Sequence, residues 1–160
     1  MRKRAVFSCI LEAERVFRDE GPASGIWLLE NAFQRFSDAA SVRSLSMAAQ
    51  RISDAELAQA VTDSTQELEY SLHILNHPHN MTAEEWMLVI GHISEAHCVE
   101  QIAKRTGREV SIPLLGQTIE TLRSVSSDFS DVEFRRSLSK LCSRYPNLLP
   151  LQLRGIIELR

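Results

Sequence analysis

Residues 53–75 read SDAELAQAVTDSTQELEYSLHIL, and this stretch decides the fold. Leu57, Val61, Ser64, Leu68, Leu72 and Leu75 recur in alternating steps of four and three. That spacing keeps one narrow apolar seam of a helix turned toward a packing partner. Ahead of the seam, Ser53-Asp54-Ala55-Glu56 has the form of a capping box. Its hydroxyl accepts from the backbone N–H three residues on, and its glutamate returns to the N–H of the cap. The stretch is a long helix over residues 54–75, and it needs a partner, either the next helix or a second subunit.

The next helix follows at once. Asn76-His77-Pro78-His79-Asn80 is a connection, because the residue before a proline is pushed out of helical geometry. Thr82-Ala83-Glu84-Glu85 is a second capping box, opening a helix that runs to Thr106 with Gly107 as its stop. Trp86-Met87-Leu88-Val89-Ile90-Gly91-His92-Ile93 is apolar nearly all round, which marks this helix as the most buried. Residues 54–106 are therefore expected to form a long antiparallel helical hairpin.

Helical periodicity extends to either side. Val6, Ile10, Ala13 and Phe17 share one face of a helix over 2–20, and Gly21-Pro22 supplies a stop and a restart. A second helix over 22–37 turns Ile26, Leu29, Ala32, Phe33 and Phe36 inward, with Trp27 at the core edge or in a contact. A third, over 39–52, points Val42, Leu45 and Ala49 inward. Beyond Gly107 the chain is extended to Ile112, and Pro113 precedes a helix over 114–126. Ser130-Asp131-Val132-Glu133 is a third capping box, leading a helix whose Phe134, Leu138 and Leu141 face inward as far as Arg144. Leu151, Leu153, Ile156, Ile157 and Leu159 close the chain in a segment too apolar to remain in water.

The expected fold is all-α, a single-domain helical bundle of six to eight helices around the long hairpin. It spans 1–160, with N-terminal helices in 1–52, an acidic histidine-containing hairpin in 53–107 and basic C-terminal helices in 108–160. At 160 residues the chain can bury a core without disulfides or metal. Cys9, Cys98 and Cys142 are odd in number and far apart, with no Cys-x-x-Cys pair, and read as reduced core cysteines. The basic start Met1-Arg2-Lys3-Arg4 and the apolar run after it resemble a secretory leader, but Glu12, Glu14 and Arg15 cut the run short. No membrane segment is expected, and the localisation read from the sequence is cytoplasmic.

Charge is distributed unevenly. The three parts bounded by Arg51 and Lys104 carry +2, −9 and +4 within a net −3, and the middle part has no lysine or arginine. A block of one sign attracts the other. Glu56, Asp63 and Glu67 lie on one stripe of the first hairpin helix, where like charges four apart repel by a few tenths of a kcal/mol. The expected function is accordingly a non-enzymatic protein–protein interaction module, an adaptor, regulator or chaperone-like binder. Glu56, Asp63, Glu67 and Trp27 would meet a protein partner with a basic surface, or a second copy of the chain.

Two alternatives come from other residues. Arg136, Lys140 and Arg144 recur every four residues, and arginine outnumbers lysine fifteen to three, a composition suited to phosphate. A nucleic-acid-binding regulator would use that stripe. Glu100 to Gly107 also resembles the start of a helix-turn-helix, although Pro113 and Gly116 fall where its second helix should lie. All five histidines fall within residues 73–97, and His73, His77 and His79 at the hairpin tip could hold one metal ion. His92 and His97 would lie roughly 13 and 21 Å away along the next helix, against ligand bonds of about 2 Å. His92 reads as a neutral core imidazole bonded to a backbone carbonyl. No phosphate loop, nucleophile elbow or paired-carboxylate motif is present in the sequence, so no catalytic residue and no cofactor is expected.

Overall fold

The structure, a computed structural model, describes residues 2–77 and 81–126. The Ser130 capping box, the helix to Arg144 and the apolar C-terminal segment lie outside the described residues. Among those described, every regular element is a helix: α1 (Arg2–Asp19), α2 (Pro22–Arg35), α3 (Ala39–Gln50), α4 (Asp54–Asn76), α5 (Ala83–Arg105) and α6 (Leu115–Ser126).

Local chemistry accounts for the breaks. Gly21 sits at φ 118°, a conformation open to glycine, and Pro22 begins α2 where its missing N–H is no loss. Asp38 caps α3, accepting from the Ser41 N–H at 3.1 Å. Both capping boxes close: Ser53 Oγ accepts from Glu56 N–H at 3.1 Å while Glu56 Oε1 accepts from Ser53 N–H at 2.8 Å. Thr82 and Glu85 repeat the arrangement at 3.1 and 3.0 Å. At the end of α5, Gly107 adopts φ 74°. Its N–H reaches Lys104 O at 3.1 Å and the Arg108 N–H reaches Ala103 O at 2.9 Å, the paired bonds of a Schellman ending.

The helix α5 lies at the centre, packed against α2, α3, α4 and α6. Val89, Ile93, Ala96, Cys98, Val99, Ile102 and Ala103 are fully excluded from solvent, as its nearly all-round apolarity requires. On α4 the buried set differs from the expected seam, with Ala60, Ser71 and Ile74 joining Leu57, Ser64, Leu68, Leu72 and Leu75, while Val61 is only partly buried. Three helices, α2, α5 and α6, pack on α4, and three partners cover a wider arc than the single partner that a narrow seam serves. Val42 departs from expectation. It is exposed, because α3 presents Ser41, Leu45, Ala48 and Ala49 to its neighbours instead.

Three arginines and a glutamate tie the elements together. Arg105 Nε donates to both oxygens of Glu30, at 2.6 and 3.1 Å, and its guanidinium lies 4.2 Å from the Phe33 ring centroid. Arg108 donates to Ile52 O at 2.7 Å and Ala49 O at 3.3 Å, the latter beside the backbone bond Ala49 O already accepts from the Ile52 N–H. Arg51 pairs with Glu14 at 2.9 Å, joining α3 to α1. Glu100 Oε2 accepts from the Ile112 N–H at 2.8 Å and holds the 106–114 connection to α5. That connection is longer than the short turn of a helix-turn-helix. It ends at Leu114, which takes φ 73° and accepts from Thr118 N–H at 2.8 Å and Thr118 Oγ1 at 2.7 Å. No described helix is long and apolar enough to cross a membrane.

Candidate functional site

Where α2, α4 and α5 meet, polar side chains collect at the base of an open cleft of about 410 Å³. Its wall includes Glu20 from the turn before α2, Ser24 from the start of α2, and Asp63, Glu67 and Tyr70 from α4. His92 reaches it from α5. Among the described residues, no lysine or arginine lines it. Asp63, Glu67 and Tyr70 share a face because steps of four and three bring residues round to one side of a helix. Tyr70 stands open to solvent at the mouth.

Glu67 and Glu95 join α4 to α5 through a hydrogen bond between their carboxyl groups. Two carboxyl groups bond only when one of them carries a proton. Burial, the Glu95 charge, the bond to Glu95 and the Asp63 charge, in that order, push Glu67 up to about 7. Burial also raises Glu95, while its bonds from Ser24 and Glu67 hold it down. The Ser24 Oγ–H donates to Glu95 Oε1 at 3.1 Å, which brings α2 into the same cluster.

His92 completes the junction. Its Nδ1 lies 2.9 Å from Ser71 Oγ on α4, and it is bonded to the Glu67 backbone as well. Burial lowers its pKa more than that backbone bond raises it. The ring is therefore neutral at pH 7, and its 3.8 Å approach to Glu67 Oε2 is no ion pair. That oxygen is buried with no hydrogen-bond partner among the described residues. The imidazole is only partly buried, and it shares a serine as well as the backbone group expected for it.

Of the residues singled out in the sequence, Asp63 and Glu67 come together in the cleft. Glu56 does not join them. Its carboxylate turns back to the Ser53 N–H, and it borders a separate hollow beside Arg18 and Arg51. Trp27 is half-buried on α2, where its indole N–H donates to Ser94 Oγ of α5 at 2.9 Å. Asp63 accepts from the Gln59 amide at 2.8 Å. Among the described residues no ion pair links Glu56, Asp63 or Glu67 to a lysine or arginine, whereas Arg108 reaches Asp54 at 3.2 Å.

His73 and His77 approach with ring centroids 5.8 Å apart, while His79 lies outside the described residues. No group of three or more histidine, cysteine or acidic side chains suited to a metal ion occurs among the described residues. Arg136, Lys140 and Arg144 lie outside them. Cys98 is buried, and that burial raises its thiol well above the usual range, so it is no nucleophile at neutral pH.

Ser24, Glu95 and Glu20 had no place in the sequence reading of the site. One signal for Glu95 was available, a carboxylate set between Ile93-Ser94 and Ala96 on the most buried helix. A buried carboxylate needs a partner or a proton.

Over the described residues, fold and site together define an all-helical unit with an acid-lined cleft between helices. No family model, no curated protein and no solved structure matches the chain.

Proposed function

We propose that this chain is a non-enzymatic helical protein–protein interaction module, an adaptor or regulator, and that its cleft receives a basic segment of a partner. The antiparallel pairing of residues 54–106 belongs to the same proposal, as the rigid frame carrying the acidic face. The observation that supports it is the make-up of the wall: Glu20, Asp63 and Glu67 line an open hollow in which no described lysine or arginine takes part. Tyr70 at its mouth offers a ring on which a guanidinium could lie. Such a face speeds and orients encounter with a cation more than it adds affinity.

A fluorescent poly-arginine peptide titrated against the protein at low and moderate salt tests this. Binding is expected to weaken as salt rises, and the double variant Glu20→Lys/Asp63→Lys should weaken it about tenfold or more while helicity by circular dichroism is kept. Unchanged binding by a folded double variant would remove the cleft as the docking surface.

A further inference from the structure

The carboxyl pair that joins α4 to α5 has a consequence that holds with or without a partner in the cleft. Glu67 projects from α4 and Glu95 from α5, and the Ser24 hydroxyl of α2 bonds Glu95 at 3.1 Å. Three helices thus meet on two carboxyl groups. We propose that Glu67, Glu95 and Ser24 form a proton-operated latch, closed when the two carboxyls share one proton and released when that proton leaves.

Among the described residues, the surroundings give the released state no counter-charge. From the turn before α2 comes Glu20, from α4 come Asp63, Gln66, Tyr70 and Ser71, and from α5 comes His92, neutral at pH 7. On α5 the buried Cys98 thiol senses the Glu95 charge and is itself protonated at neutral pH. The remaining neighbours, α6 on α4 and α5 and α3 on α2 and α5, contribute nothing to the cleft wall. Loss of the proton places two carboxylates in hydrogen-bond proximity with Asp63 close by. The bond between them is lost, because neither oxygen then has a hydrogen to donate. The repulsion is relieved by moving α4 away from α2 and α5 along the existing cleft, or by admitting water.

The sign follows from linkage. Glu67 has a raised pKa in the fold, so its contribution is full below the unfolded value near 4.5 and is lost as pH rises toward about 7. His92 runs the other way, its lowered pKa weakening the fold as pH drops below its ordinary 6.5. A wild-type stability curve alone therefore mixes the two, and a comparison with Glu67→Gln separates them. The amide of that variant keeps a donor toward Glu95 and cannot ionise.

Hydrogen exchange of the α4 amides over 63–75, corrected for intrinsic rates and referenced to α1, reads the latch in the unaltered protein. Opening is expected to rise about tenfold between about pH 5 and about pH 8. In Glu67→Gln it should stay flat, and Glu95→Gln, which places the donor on α5 instead, should flatten it as well. A constant exchange ratio in the unaltered protein, or a pH dependence that survives in every folded variant, overturns the latch. Poly-arginine binding does not enter this readout, so failure here and failure of the docking surface are told apart.

Discussion

At the scale of single residues, one missing methyl group sets the distance between two helices. A Cβ at Gly25 would stand 2.5 Å from Phe17 Cβ and 2.8 Å from Ala13 O. The backbone of α1 would have to retreat, and overpacking of this kind costs about 1–3 kcal/mol. Gly91, inside α5, is the opposite case, with nothing among the described residues within 4 Å of its missing Cβ beyond its own helix backbone. Gly91→Ala is expected to stabilise by about 0.5–1 kcal/mol through helix propensity, and Gly25→Ala to destabilise by about 2 kcal/mol. Urea denaturation of the two variants checks both signs, and a neutral Gly25→Ala would mean the two helices do not cross so closely. The sequence marks both positions as glycine within a helix, yet only the neighbours distinguish them.

Within elements, short-range chemistry is legible in the order of residues alone. Ser53 and Thr82 each carry a hydroxyl three residues before a glutamate, and both form reciprocal caps. Each closes with backbone groups of its own first turn, so the signal needs no knowledge of distant residues. Ser53→Ala and Thr82→Ala are each expected to cost about 1 kcal/mol, measured as a shift of the urea midpoint. A loss confined to noise in both would show the caps to be replaceable by water. Faces are less legible than ends. Val42 falls on the helical repeat with Leu45 and Ala49 but is exposed, because periodicity gives the stripe and not its width or the reach of the neighbour.

In the whole molecule, the Glu30–Arg105 pair joins α2 to α5 across 75 positions of sequence. Glu30 is only 2% exposed, so its carboxylate relies on the guanidinium. Arg105→Met should cost about 3 kcal/mol, because it strands a buried charge. The double variant Glu30→Met/Arg105→Met should recover much of that loss, since an apolar pair of similar volume carries no desolvation penalty. If the double variant is no more stable than the single one, the loss came from packing against Phe33 and not from the stranded carboxylate.

The candidate site divides along the same line. Asp63 and Glu67 are visible as one stripe, since four residues along a helix return to the same side whatever lies opposite. Glu95 and Ser24 are invisible as their partners, because they come from α5 and α2 and meet Glu67 only through the packing of three helices. By itself the amino-acid order determined what acts over one or two turns: helical periods, caps, proline and glycine breaks, and the uneven charge. Only the tertiary structure decided which carboxylates are neighbours, which arginine meets which glutamate, and that Glu67 is pushed up to about 7. The physical reason is range. Helix and cap energies are set by near neighbours in the chain, while burial and through-space charge depend on residues brought close only when the core closes.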